Sequence, residues 1–284
     1  METMLRSRTR SVVISPNHPL VIIGERINPT GRKKLAKALE EGNLQLVREE
    51  AVKQAHEGAQ VLDVNVGISG IDEPQLLSEA VKAVMEVTEL PLCIDSAHPR
   101  ALEAGLAVYE GKAMVNSVTG EETKLKEVLP LVKQYGAAVV GLTMDDGGIP
   151  REAERRLEIA RKIFEAAIGL GIPKEDVVID PLAMSISTDH LAALETLKAI
   201  HLIRDELGVN QTLGASNISF GLPERHAING IFLALAVLHG VTCPILDPTV
   251  WEVRRAALVT DLLLGKDEFC MKFISAYREK FPTA

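Results

Sequence analysis

Six short apolar runs in this chain end in an acid or an amide. They are Leu62-Asp63-Val64-Asn65, Ile94-Asp95-Ser96, Val115-Asn116-Ser117, Ile179-Asp180-Pro181, Ala215-Ser216-Asn217 and Leu246-Asp247-Pro248. Aspartate and asparagine are poor strand formers, and a carboxylate taken out of water is costly unless it is paired or hydrogen-bonded. At any single run end, a cap for the following helix explains the residue as well as a binding role does. Six at one height favour a site. Asp63 and Asn65 are two residues apart, so strand alternation puts both on the same side. A carboxylate accepts two parallel hydrogen bonds from an amidine-like edge, and an amide donates and accepts at once. Together they suit a flat heterocycle that carries both donors and acceptors.

Other chemistries lack their residues. No lysine stands at a run end, which removes Schiff-base chemistry as the leading idea. His98, His190, His201, His226 and His239 show neither HxH nor HExxH spacing, so a histidine-held zinc is not expected and the histidines read as loop or helix-surface residues. A GxSxG nucleophile elbow is missing, and Gly214-Ala215-Ser216-Asn217 is too short a glycine signal for a phosphate cradle. A divalent ion held through carboxylate oxygens stays open as a second use of the acids. Cys93, Cys243 and Cys270 lie far apart, which fits neither a disulfide framework nor a zinc site and suits a reducing cytoplasm. The formal net charge of −8 argues against a nucleic-acid face. No apolar run approaches a membrane span. Arg6, Arg8 and Arg10 make the start basic, but no long apolar region follows, so a secretory signal is not expected.

The elements that must position these residues are legible in the same pattern. Hydrophobic residues make up 46% of the 284 and aromatics only 4%, so the core is Val, Ile, Leu and Ala, the mixture of buried parallel strands and their covering helices. Eight β-branched runs, at 21–28, 60–67, 90–96, 113–119, 138–144, 176–182, 211–217 and 243–247, are each followed by a turn and a stretch of helical spacing. Over 151–170, Leu157, Ala160, Ile163, Phe164 and Ala167 share one helical face, with charges opposite. Eight strand–helix units predict one α/β domain, a closed (β/α)8 TIM barrel. An open doubly wound sheet is the alternative. It usually carries a Gly-rich fingerprint after its first strand, and Gly24-Glu25-Arg26-Ile27-Asn28 is not one. Residues 1–19 read as an N-terminal lead-in in which Ser11-Val12-Val13-Ile14 caps the barrel floor, and 20–284 as the barrel. The segment 249–281 is long enough for the last helix plus an extension.

The acid and amide ring has the donor–acceptor complement of a pterin, and several motifs resemble the pterin-binding barrel family. They are Gly24-Glu25-Arg26-Ile27-Asn28, Leu62-Asp63-Val64-Asn65-Val66-Gly67, Leu92-Cys93-Ile94-Asp95-Ser96, Met114-Val115-Asn116-Ser117, Gly141-Leu142-Thr143-Met144, Ile179-Asp180-Pro181-Leu182 and Gly214-Ala215-Ser216-Asn217. The likeness runs in order over residues 21–248 and is strongest to methyltetrahydrofolate:corrinoid protein methyltransferases. These include the enzyme serving the corrinoid iron–sulfur protein and those of demethylation pathways. The resemblance implies that Asp95, Asn116 and Asp180 bind the pterin ring, with Asp63, Asn65, Ser96 and Ser216 beside them. It implies that Asn217 reaches N5 and assists methyl transfer, and that Arg225 belongs to the site; the loop 218–224 departs from the family pattern.

The activity implied is movement of a methyl group between N5 of tetrahydrofolate, or 5-methyltetrahydrofolate, and the cobalt of a corrinoid. No DxHxxG-type segment appears, so the corrinoid is expected on a partner protein. The resemblance also implies a cytoplasmic homodimer. Dihydropteroate synthases share the barrel but place a Ser-Arg-Lys type motif where this chain has Ser216-Asn217-Ile218, which counts against a synthase. A synthase-like pterin transferase and a non-catalytic folate-binding subunit remain the alternatives.

Overall fold

Across residues 1–282, which the computed structural model describes, strands and helices alternate behind a short hairpin. The last two residues of the 20–284 assignment lie outside the described part. Strands β1 (Thr3–Arg6) and β2 (Ser11–Ile14) pair antiparallel. Then come β3 (Ile23–Ile27), helices α1 (Lys33–Glu40) and α2 (Gln45–His56), β4 (Val61–Asn65), α3 (Glu73–Val87), β5 (Leu92–Asp95) and α4 (Pro99–Val108). They are followed by β6 (Met114–Thr119), α5 (Glu122–Tyr135), β7 (Ala138–Leu142), α6 (Ala153–Gly169), β8 (Val177–Asp180) and α7 (Ala192–Leu207). The chain closes with α8 (Arg225–His239), β9 (Ile245–Leu246), α9 (Trp251–Leu263) and α10 (Met271–Lys280).

Seven strands form one parallel sheet in the order β8-β7-β6-β5-β4-β3-β9. Segment 211–214 fills the seam between β8 and β9, bridging Ile179 through Gln211 and Ile245 through Gly214. The Thr212 N–H donates to Ile179 O at 3.0 Å and the Ile245 N–H to Leu213 O at 2.9 Å. Eight staves therefore close a barrel with helices outside, the expected fold.

Strand seven is shorter than its 211–217 reading. Pairing stops at Gly214, and Ala215–Ser219 coil into a 3₁₀ turn in which the Phe220 N–H reaches Asn217 O at 3.2 Å. Short polar side chains such as Ser216 and Asn217 favour turns over ladders. The sixth run likewise loses both ends: Lys174–Asp176 is a 3₁₀ turn and Pro181, with no N–H to offer, stops the ladder after Asp180.

Alternation along each strand divides the core in two. Leu62, Val64, Leu92, Ile94, Val115, Val139, Val177 and Ile179 face the helices. Ile23, Val61, Cys93, Met114, Ala138, Val140, Val178 and Cys243 face inward, where they meet Leu5, Val12 and Ile14 of the hairpin. The hairpin is tied to segments that precede strands, through Arg6–Lys112 backbone bonds and through Asn210 Nδ2 to Ile14 O at 2.9 Å. It therefore shuts the N-terminal mouth. The other mouth is left to the polar row.

Helix α6 matches the 151–170 spacing and buries Leu157, Ala160, Ile163 and Ala167, with Phe164 packed at the edge. It also buries Arg156, at 1% exposure.

Candidate functional site

One step above the inward apolar layer, the same alternation brings up Glu25, Asn65, Asp95, Asn116, Leu142, Asp180, Gly214 and Asp247. Register aligns them: Asn65 is opposite Asp95, Asp95 opposite Asn116, and Leu142 opposite Asp180. Asp63 lies a layer lower, opposite Cys93. The C-terminal mouth, where barrels build their sites, is thus rimmed with acids and amides from separate staves.

Asp63 is 3% exposed and accepts from Asn116 Nδ2 at 3.1 Å. Burial pushes its carboxyl well above the usual range, and the nearby Asp95 charge adds to this. Asp95 is pushed up to about 6, chiefly by burial and in part by the Glu73 charge, while hydrogen bonds with Asn65 and Asp63 pull it down. The bond between the two acids favours protonated Asp63 and ionised Asp95, so the deeper acid keeps the proton. Ser96 is buried and its hydroxyl turns to Glu73, while the His98 N–H donates to its Oγ at 3.0 Å. It supports the ring from behind.

Asp180 is 6% exposed and accepts the Leu182 N–H at 2.7 Å, with a further bond from the Gly214 backbone. Burial still lifts its carboxyl to about 7, against those bonds and the Arg156 charge. The corner after it needs a left-handed residue, Leu182 at φ 61°, and Arg156 clamps that corner. Its guanidinium donates to Pro150 O at 2.8 Å, Pro181 O at 3.2 Å, Leu182 O at 2.8 Å and Thr196 Oγ1 at 3.1 Å. Sequence reasoning left Arg156 among the charges of its helix. The signal was present, because positions 156, 160, 163 and 167 fall on one stripe.

Glu25 was also missed, since the ring was sought as Asp and Asn alone. Its place two residues after inward-facing Ile23 was the available sign. Ser216 Oγ donates to Glu25 Oε1 at 3.2 Å. Next to it Arg26 Nε pairs with Asp247 Oδ2 at 3.2 Å, and the Arg26 N–H donates to Gln54 Oε1 at 2.9 Å. Gly24 makes room for that fully buried glutamine, since a Cβ there would sit 2.4 Å from Gln54 Oε1.

The remaining selected residues gather on the turn after segment 211–214. Asn217 is exposed at the rim. Arg225, the first residue of α8, donates through Nε to Ser219 Oγ at 3.0 Å and through Nη2 to Ser216 O at 2.9 Å, and lies 5.8 Å from the centre of the exposed Phe220 ring. It braces the turn carrying Ser216 and Asn217. Among the described residues no three of His, Cys, Asp and Glu are grouped to hold a metal ion.

A family model described as "Pterin binding enzyme" matches residues 24–247. The chain is 35% identical over 263 residues to a methylcorrinoid:tetrahydrofolate methyltransferase of Eubacterium limosum, covering 92% of this chain and 97% of the relative. It is 31% identical over 245 residues to a methionine synthase of Mycobacterium tuberculosis, covering 82% of this chain and 21% of that longer protein. Among solved structures, dihydropteroate synthase of Xanthomonas albilineans with 4-aminobenzoic acid superposes with a TM-score of 0.70 at 20% identity, over 93% of this chain and 99% of that one. The synthase of Thermus thermophilus gives 0.66 at 19%, over 92% and 99%. At those identities the likeness shows a shared barrel.

Proposed function

This chain belongs to the pterin binding enzyme family, and from that membership we propose that it transfers a methyl group between N5 of tetrahydrofolate and the cobalt of a corrinoid carried by a partner protein. The near end-to-end match to the Eubacterium limosum methyltransferase carries this reading. The catalytic unit is residues 20–284, with 1–19 as its lead-in.

The chemistry of the ring supports it. Ionised Asp95 and Asp180 accept from the amino and ring N–H groups of the pterin edge, and Asn116, whose Nδ2 is bonded to Asp63, offers its amide oxygen. Asp63 and Asn65 hold that row in place, Ser96 backs it, and Ser216 and Arg225 fix the turn on the far side of the seam. Asn217, exposed on the rim, is the residue we assign to the methyl-bearing nitrogen. A tertiary amine leaves poorly, so catalysis requires stabilisation aimed at the charge developing on N5. An amide suits this because it turns between donor and acceptor without titrating. The partner's corrinoid would meet the methyl group at the C-terminal mouth.

The protein acts as a homodimer in the cytoplasm. Ile231, Leu235 and Leu238 form an exposed apolar row on α8, material for a self-contact, and the free thiols of Cys93, Cys243 and Cys270 suit a reducing compartment.

Calorimetry with 5-methyltetrahydrofolate, followed by stopped-flow spectra with a cobalt(I) corrinoid, tests the proposal. Binding followed by conversion of the cobalt(I) band to methylcobalt(III) is expected. Binding without conversion in either direction would leave a folate-presenting subunit. Condensation of pterin pyrophosphate with p-aminobenzoate would make the chain a synthase.

A further inference from the structure

The pterin-reading residues leave Glu25 unused. It reaches the mouth from β3, and its only side-chain hydrogen bond among the described residues is from Ser216, the neighbour of Asn217. Its backbone is pinned on both sides, by Gly24 packed under Gln54 and by Arg26 bonded to that same side chain. The charged groups facing it are Asp247 from beyond β9, Arg26 from its own strand and Arg225 from α8. Both cations are engaged elsewhere, Arg26 with Asp247 and Arg225 with Ser216 O and Ser219 Oγ. Glu25 is therefore a partly buried carboxyl with no salt-bridge partner within 4 Å among the described residues, aimed at the turn that carries Asn217.

We propose that Glu25 holds the proton that N5 takes up when its methyl group leaves, and receives that proton back when the reaction runs the other way. This rests on the methyltransferase reading above. As the N5–CH3 bond breaks, the cobalt(I) electron pair forms the Co–CH3 bond, and the C–N pair stays on N5. That pair takes the Glu25 proton, leaving an N5–H amine and a Glu25 carboxylate that solvent reprotonates. In reverse, the N5–H amine attacks methylcobalt(III) and its proton passes to the carboxylate. Ser216 aims the carboxyl, and its hydroxyl can donate to the carboxylate or turn to accept from the acid.

The protonation state fits the task. Burial pushes Glu25 up to about 7, with the Asp247 charge adding to this and the bond from Ser216 and the Arg26 and Arg225 charges opposing it. A group poised near the working pH both gives and regains a proton readily. The Asp63–Asp95 pair also keeps a proton, but Asp63 lies a layer deeper and that proton bonds it to Asp95.

The test is single-turnover methyl transfer from 5-methyltetrahydrofolate to a cobalt(I) corrinoid, from about pH 5.5 to 8.5, with folate affinity measured beside it. In the wild type the rate falls as pH rises through about 7. Glu25→Gln keeps folate affinity within a few-fold, loses about 10²–10⁴ in rate, and flattens the pH profile. Glu25→Asp restores part of the rate and the pH dependence. An unchanged rate in the Gln variant, or a slower rate with the wild-type pH profile, overturns the inference, the latter leaving Glu25 a brace of the turn that carries Ser216. A wild type that binds folate yet forms no methylcobalt at any pH fails the methyltransferase reading itself, an outcome visible before any variant is made.

Discussion

Asp180 should weaken the fold while it serves the ligand, and Asp180→Asn separates the two effects. Its carboxyl is lifted from 3.8 to about 7 by burial. Three units at about 1.4 kcal/mol each come to roughly 4 kcal/mol of differential protonation energy. Because the folded value lies above the unfolded one, the folded protein holds the extra proton between about pH 4 and 7. The contribution is fully present below pH 4, declines as pH rises, and is gone above 7. An amide does not titrate, and its oxygen can still accept the Leu182 N–H. Its new NH2 group has no assured partner, which costs back about 1–3 kcal/mol. The net gain at pH 8 is then about 1–3 kcal/mol, shrinking toward zero or below at pH 5. Binding should move the other way. Replacing one acceptor oxygen with a donor facing a donor costs on the order of 3–4 kcal/mol, or about 10²–10³ in Kd. Urea unfolding at pH 5 and 8, with folate calorimetry at pH 8, reads both quantities. A variant less stable than wild type at pH 8, or a stability difference that ignores pH, would refute the argument that burial alone lifts this acid.

Asn217→Ala should leave stability and folate affinity nearly intact, since the side chain is exposed, but slow single-turnover methyl transfer about 10²–10³-fold; equal losses in binding and turnover would remove its proposed role. Arg156→Met should cost about 3 kcal/mol or more in urea unfolding, because the buried Pro181 carbonyl and the part-buried Leu182 carbonyl lose their donor. Folate affinity should fall with it as the Asp180 corner loosens, and a loss under about 1 kcal/mol would show that the corner holds itself. Gly24→Ala drives a methyl group to 2.4 Å from Gln54 Oε1 and should cost about 1–3 kcal/mol; an unchanged melting temperature would mean that Gln54 and the β3 end shift freely.

The barrel was legible because its signals are local. A strand buried on both faces reads as a continuous β-branched run, and period-two alternation follows from backbone geometry. Thus Val61, Asp63 and Asn65 share a face before any partner is known, and an acid or amide at the end of such a run announces a polar mouth. The resemblance of those run ends to the pterin-binding family carried the reading from mouth to ligand. Where strand seven stops was less plain, because Gly214 can extend or turn and Ser216 and Asn217 tip the balance only weakly.

Long-range closure settled the rest. Glu25 faces Ser216 across 191 positions of chain, and nothing near either residue announces the other. Arg156 becomes a clamp only when α6 packs against the corner after β8. Asp63 keeps its proton because the closed barrel buries it and sets the Asp95 charge beside it, against the hydrogen bond that Asn116 donates from β6. Burial and pairing set a side chain's charge state and orientation. Both are properties of distant residues meeting, so no window of the chain contains them.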